Sequence, residues 1–94
     1  MSEENILRKK ITIINKLGLH ARASAKFVKT AGRFTAEIKI HYDGQIVDGK
    51  SIMGIMMLAA SKGTELEITA EGDDATDAIN AITELVNNRF DEAE

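Results

Sequence analysis

Two segments of this chain alternate apolar and polar residues, and this pattern restricts the fold more than any other feature. In residues 34–40 and 65–70 every second side chain is apolar, which is typical of strands with one buried face. A sheet of such strands cannot cover its own apolar face, so helices must pack against it. With 94 residues, the chain can bury one core. We therefore expect one domain over residues 1–94.

The other segments predict the element order β-α-β-β-α-β-α. Asp43-Gly44 is a strong hairpin signal, Gly32 is a typical helix stop, and Ser51 is a good helix N-cap. We expect strands at 10–14, 34–40, 45–48 and 65–70, and helices at 21–31, from 51 to about 60, and after a capping aspartate at 73 or 74. The predicted fold is α+β: a four-stranded, largely antiparallel sheet with three helices on one face and a solvated opposite face.

Apolar spacing assigns a core face to each helix. These faces are Ala21, Ala25, Val28 and Ala31 in the first helix, Ile55, Leu58 and Ala59 in the second, and Ala78, Ile79, Ile82, Leu85, Val86 and Phe90 in the third. The second helix carries more apolar side chains that lie partly off its face: Ile52, Met53, Met56 and Met57. Met-rich surface suits docking to several partners, so we favour an exposed patch over a helix buried on all sides.

The segment 18–22, Gly-Leu-His-Ala-Arg, places a histidine where an extended segment meets a predicted helix. A helix N-terminus offers unpaired N–H groups and the positive end of the helix dipole, which favour a bound anion. The imidazole of His20 can stay neutral with a lone pair free to attack, and the planar guanidinium of Arg22 suits phosphate oxygens. This arrangement suggests phosphoryl transfer through His20. An isolated histidine is more often a polar cap, and Arg22 alone could be an ordinary surface arginine.

Two other polar residues have plain structural explanations. Ser51 is a helix cap, although a phosphate placed there would also meet the helix N-terminus and Lys50. His41 lies at the end of a strand beside a turn, which favours a surface position. The acidic residues 91–94 are expected to solvate the C-terminus.

The composition argues against several classes of function. The net charge is −3 and the pI is near 5.4, and aromatic residues are few, so nucleic-acid binding is not expected. The chain has two histidines and no cysteine, so we expect neither a metal nor a cofactor. The longest apolar run, 55–60, is too short to span a bilayer. Because residues 1–8 lack the apolar segment of a secretory signal, we expect a cytoplasmic protein. We also expect the protein to be a monomer.

The segment 50–54, Lys-Ser-Ile-Met-Gly, forms a second motif, with Ser51 placed 31 positions after His20. On these two motifs, in this order and with these strands and helices between them, the chain resembles the HPr family. HPr is the histidine-containing phosphocarrier of the bacterial phosphotransferase system. The resemblance extends from about residue 10 to residue 90. It implies an open-faced β-sandwich, in agreement with the pattern-based prediction.

The resemblance also implies roles for individual residues. His20 would accept a phosphoryl group at Nδ1 from phospho-enzyme I, charged by phosphoenolpyruvate, and pass it to a histidine of an enzyme IIA protein. Arg22 would stabilise the transferring group, and the backbone N–H groups of Ala21, Arg22 and Ala23 would hold its oxygens. Such a carrier has no turnover of its own and is not an enzyme. Ser51 would be the regulatory serine that an HPr kinase phosphorylates. The apolar patch that docks on donor and acceptor would consist of Ile52, Met53 and Met56.

The chain departs from the family at Ala23, where proline is usual; alanine leaves a freer helix start and one more N–H donor. Residues 15–18 look more like the nitrogen-branch carrier NPr, and residues 50–54 more like kinase-regulated HPr, so the sugar and nitrogen branches both stay open. Two alternative functions also stay open. One is a mainly regulatory protein acting through phospho-Ser51, and the other is an adaptor that binds partners through its methionines without phosphate.

Overall fold

The computed structural model describes residues 6–94 and confirms the predicted element order. The first five residues, which are part of the segment tested above for a secretory signal, lie outside this range. The strands are β1 (Ile6–Thr12), β2 (Glu37–Tyr42), β3 (Gln45–Asp48) and β4 (Glu65–Glu71). The helices are α1 (Ala21–Ala31), α2 (Ile52–Met57) and α3 (Ala75–Asn87), followed by a 3-10 turn at Arg89–Asp91. No helix within the described range is long and apolar enough to cross a membrane.

The four strands form one antiparallel sheet in the order β1-β4-β2-β3. The predicted hairpin joins β2 to β3 through Asp43 and Gly44, whose φ angles are 51° and 78°. Two consecutive left-handed residues match a type I′ turn, whose twist fits the flanking strands. The four-stranded antiparallel sheet is therefore confirmed.

One face of the sheet is buried by the helices. The inward residues of the two central strands are fully buried: Ile38, Ile40, Leu66, Ile68 and Ala70. Their polar neighbours Glu37, Lys39 and Glu65 are exposed. Helix α3 packs on β1 and β4, and α1 packs on α2 and α3. Burial of each isoleucine or leucine side chain stabilises the fold by about 1.5–3 kcal/mol, so the layer between sheet and helices forms the hydrophobic core.

The bounds of α1 are as predicted, but its predicted core face is only partly right: Ala31 is buried and Val28 packs partly buried against the core. Ala21 and Ala25 are exposed, and the buried residues are Ala23, Ser24, Phe27 and Ala31. Alanines recur on several faces of this helix, whereas Phe27 has the most apolar surface to bury and sets the orientation. Ser24 can join the buried face because its hydroxyl donates to Leu19 O at 3.1 Å.

Other element ends differ from the sequence expectations. Helix α2 stops at Met57 rather than near residue 60, because Ala59 turns left-handed with φ 52°. Ile55 and Leu58 are buried as predicted, but Ala59 is exposed and Ala60 is buried instead. The first strand starts at residue 6 and ends at residue 12, since pairing with β4 extends it into polar residues. Phe90 is buried, but it lies beyond α3 in the 3-10 turn.

Asp74 occupies the N-cap position of α3, yet its side chain does not cap that helix. Its carboxylate accepts hydrogen bonds from Thr35 N–H at 2.9 Å and Ala36 N–H at 2.8 Å. The Thr35 bond is the largest influence on the pKa of Asp74; together with Ala36 it outweighs burial and keeps this pKa below its usual value. Asp74 therefore joins the start of α3 to the segment before β2.

Candidate functional site

His20 lies at the N-terminus of α1, as the sequence predicts. It is the N-cap residue, with extended backbone at φ −72° and ψ −179°. Its carbonyl accepts the bond from Ser24 N–H at 2.9 Å, so the N–H groups of Ala21, Arg22 and Ala23 precede the first hydrogen-bonded turn and have no acceptor within the helix. The imidazole is partly open to solvent, with 28% of the side chain exposed. This end of α1 can therefore present three backbone donors beside a reactive ring.

The loop before His20 is fixed against the segment that follows α2. Gly18 has a left-handed φ of 67°, and a Cβ there would lie 2.5 Å from the carbonyl oxygen of Ala60. Leu19 is buried, and its N–H donates to the same oxygen at 2.9 Å. Only glycine accommodates both the backbone angle and the close approach. The position of His20 is thus set by backbone packing.

Arg22 is exposed in the first turn of α1 and lines the same surface depression as His20. Two other cations in this depression are paired: Lys16 Nζ lies 3.3 Å from Glu94, and Lys26 Nζ lies 3.7 Å from Asp91. Within residues 6–94, Arg22 forms no ion pair within 4 Å. It is therefore available to an incoming anion.

The C-terminal tail contacts the site, so the expectation that residues 91–94 only solvate the C-terminus is wrong for Glu92. Its Oε2 lies 2.5 Å from His20 Nε2, and the Glu92 side chain is only 15% exposed. Its Oε1 accepts from Asn15 Nδ2 at 3.0 Å. Asn15 is fully buried and also donates to Gly18 O at 2.8 Å. Sequence patterns assign neither Asn15 nor Glu92 to the site.

An unusual turn holds this tail in place. Arg89, Phe90 and Asp91 have φ angles of 57°, 55° and 63°, and a left-handed residue other than glycine costs about 1–2 kcal/mol. The buried Phe90 side chain anchors the turn, and Lys26 Nζ donates to Phe90 O at 2.9 Å. Such strain persists only where the surroundings determine the conformation. The tail position is therefore part of the fold.

The carboxyl of Glu92 is ionised at neutral pH. Burial raises its pKa, but hydrogen bonds from His20 and Asn15, together with the nearby charge of Arg22, outweigh burial and bring the pKa of Glu92 below its usual 4.5. An ionised carboxylate can only accept hydrogen bonds. His20 Nε2 must therefore be the donor in their contact.

Ser51 caps α2, as predicted: its Oγ accepts from Gly54 N–H at 3.1 Å. The ammonium of Lys50 does not point to Ser51 in this arrangement, because it donates to Phe34 O at 2.7 Å. Ser51 itself is half-buried. Its structural role is thus clear, and the residue is not fully buried.

The expected apolar patch on α2 is exposed. This methionine patch consists of Ile52, Met53, Met56 and Met57, with exposures of 37%, 68%, 40% and 75%. The six residues of α2 span about 9 Å at 1.5 Å per residue. Ser51 begins this helix, while the loop carrying His20 bonds to Ala60 beyond its other end. The methionine patch therefore lies between the two polar candidates.

His41 stands apart from the site. Its Nε2 lies 3.0 Å from Thr69 Oγ1, on the sheet face opposite the helices. Across the described part of the chain, no group of three or more His, Cys, Asp or Glu side chains could hold a metal ion.

Comparison with known proteins agrees with this geometry. A family model described as "PTS HPr component phosphorylation site" matches residues 7–88. The chain belongs to the HPr family. It is 59% identical over 85 residues to the phosphocarrier protein HPr of Pseudomonas aeruginosa, covering 89% of this chain and 94% of that protein.

Solved HPr structures share the fold. The structure of HPr from Thermoanaerobacter tengcongensis aligns with a TM-score of 0.90 at 44% identity, covering 94% of this chain and 99% of that chain. A second structure from the same organism, described as an HPr dimer, aligns with a TM-score of 0.75 at 48% identity, covering 87% and 94% of the two chains. The open-faced antiparallel sheet of the HPr family is therefore confirmed, while a monomeric state stays a prediction.

Proposed function

We propose that this HPr-family protein is a phosphocarrier that relays a phosphoryl group through His20. The donor is phospho-enzyme I, charged by phosphoenolpyruvate, and the acceptor is a histidine of an enzyme IIA protein. One observation carries the proposal: the imidazole of His20 stands beside three backbone N–H groups without helical acceptors, and it shares a surface depression with Arg22, whose guanidinium forms no ion pair within residues 6–94. These groups favour the binding of an anionic phosphoryl group and stabilise its charge during transfer.

The reaction needs positioning more than new bond chemistry. The lone pair of His20 Nδ1 forms the new N–P bond, while the donor's N–P bond breaks and its electron pair returns to the donor nitrogen. The N–H groups of Ala21, Arg22 and Ala23 and the Arg22 guanidinium stabilise the phosphoryl oxygens during transfer. The same steps in reverse pass the group to the acceptor. Turnover requires a partner at each step, so the protein is not an enzyme by itself.

Ala23 is compatible with this role. Its side chain is fully buried on the core face of α1, whereas its backbone N–H belongs to the first turn, which has no helical acceptor. A proline there would have no N–H to offer. The chain therefore gains a donor where most of the family has none.

The methionine patch gives both partners a docking surface. Its side chains are exposed beside the site, and flexible thioethers adapt to different surfaces. Because donor and acceptor use the same carrier in turn, one adaptable surface can serve both.

The test is phosphorylation with enzyme I and phosphoenolpyruvate, followed by measurement of acid-labile phosphate. The wild-type protein and the His41→Ala control should be labelled, and His20→Ala should not. Full acid-labile labelling of His20→Ala would contradict the proposal.

A second candidate function is regulation through phospho-Ser51. It is favoured by the half-buried position of Ser51 at the start of the helix that carries the methionine patch. A phosphate there would add about two negative charges beside the docking surface. With ATP and an HPr kinase, the wild-type protein should take up acid-stable phosphate. If Ser51→Ala took it up equally, this second function would be excluded.

A further inference from the structure

Glu92, which contacts His20, lies beyond the part of the chain matched by the family model, which ends at residue 88. Glu92 uses both carboxylate oxygens: Oε2 contacts His20 Nε2 at 2.5 Å, and Oε1 accepts from Asn15 at 3.0 Å. Asn15 is buried and bonded to the loop that carries His20. The carboxylate is thus held on one side of the imidazole by a fixed second partner.

This contact decides which ring nitrogen carries hydrogen. An ionised carboxylate has no hydrogen to donate, so the bond requires a hydrogen on Nε2. In a neutral imidazole, the other nitrogen is then the one with a free lone pair. Among the described residues, none forms a hydrogen bond with His20 Nδ1. The geometry leaves Nδ1 free to attack.

We propose that Glu92 is a positioning residue that holds His20 in its Nε2–H tautomer and presents the Nδ1 lone pair to the phosphoryl group. This inference rests on the proposed function and adds to it the residue that selects the reacting nitrogen. It assigns to the tail of this chain the task that a buried carboxylate performs for the histidine of a catalytic triad.

Glu92 also stabilises the ring during transfer. When Nδ1 forms the N–P bond and the donor's N–P bond breaks, the ring gains positive charge that is shared with Nε2–H. No proton needs to leave, because Nε2–H stays hydrogen-bonded to Glu92. If a hydrogen bond to a charged group stabilises the transferring state, losing it slows transfer by about tenfold when the bond is at the weak end of its usual strength. The partial exposure of His20 favours this weak end.

The experiment compares wild type, Glu92→Gln and Glu92→Ala, with Glu94→Gln as the matched control. Glu94 lies in the same tail but pairs with Lys16 at 3.3 Å and does not contact His20. Nitrogen-15 NMR of the unphosphorylated protein reports the tautomer, and labelling by enzyme I with phosphoenolpyruvate reports the rate.

We expect wild type and Glu94→Gln to show the Nε2–H tautomer with a strongly downfield N–H proton. Glu92→Ala should lose that proton signal, populate both tautomers and take up phosphate about tenfold more slowly. Glu92→Gln should give an intermediate result, because its amide can still accept from Nε2–H but carries no charge. An Nδ1–H ring in the wild-type protein, or a Glu92→Ala variant with unchanged NMR and rate, would overturn the inference.

The two possible failures are distinguishable. If wild-type His20 takes up no phosphate, the proposed function fails, whatever the tautomer. If wild-type His20 is labelled while Glu92→Ala keeps the wild-type ring signals and labelling rate, only the role of Glu92 fails.

Discussion

Gly18 is the backbone position on which the geometry of the site most depends. Its φ is 67°, and an added Cβ would lie 2.5 Å from Ala60 O and 2.9 Å from Ser61 Cα. The left-handed backbone alone costs an alanine about 1–2 kcal/mol. Forcing the methyl group against backbone atoms adds about 1–3 kcal/mol. We expect Gly18→Ala to lower the free energy of unfolding by about 2–5 kcal/mol in total.

Gly44→Ala is the matched control, because it isolates the backbone cost. Gly44 has φ 78°, but no atom lies within 4 Å of an added Cβ, so we expect a loss of only about 1–2 kcal/mol. The assay is urea unfolding followed by circular dichroism, with Tm as a second measure; in a domain of this size each 1 kcal/mol shifts Tm by about 4–8 °C. Equal destabilisation by the two substitutions would refute the packing argument.

Gly18→Ala should also impair phosphoryl uptake in molecules that remain folded. Relief of the clash separates Leu19 N–H from Ala60 O, now 2.9 Å apart, and moves the adjacent His20. A misplacement of about 1 Å at a reacting group can slow transfer by about 10²-fold. Gly44→Ala, in the distant β2–β3 turn, should keep the wild-type rate of labelling by enzyme I.

Two further predictions concern the carboxylate at the start of α3 and the methionine patch. Because hydrogen bonds lower the pKa of Asp74 in the folded protein, its ionised form stabilises the fold above the usual value of 3.8, and this stabilisation disappears as pH falls through the folded pKa. Asp74→Asn should therefore be less stable than wild type in urea unfolding at pH 7, with the difference shrinking in acid; a constant difference would contradict the assignment. Met53→Ser, at a side chain 68% exposed, should change the free energy of unfolding by less than about 0.5 kcal/mol yet raise the carrier concentration needed for half-maximal labelling by enzyme I. An unchanged half-maximal concentration would argue against docking through this patch.

The sequence predicts those parts of the fold that are decided within a few residues. Asp43-Gly44 fixes a two-residue turn, and Gly32 marks the end of α1, so both were placed correctly. The core face of α1 is predicted only in part, because small alanines recur on several sides of that helix and only packing shows that Phe27 is buried.

The candidate site divides in the same way. His20, at the end of an extended segment, is identified by local pattern. Its partner Glu92 is 72 positions away in sequence, and their contact depends on three left-handed residues, none of them glycine, at Arg89–Asp91. No local signal predicts such a turn, since its conformation is imposed by the burial of Phe90 in the core.

The central claim is that His20 carries the phosphoryl group. The most direct measurement is mass spectrometry of the wild-type protein after incubation with enzyme I and phosphoenolpyruvate, under conditions that preserve phosphohistidine, before and after addition of an enzyme IIA protein. We predict one phosphate on His20, which disappears from this chain and is found on the acceptor. Phosphate on another residue, or none on His20 while a known HPr is labelled by the same enzyme I, would contradict the account.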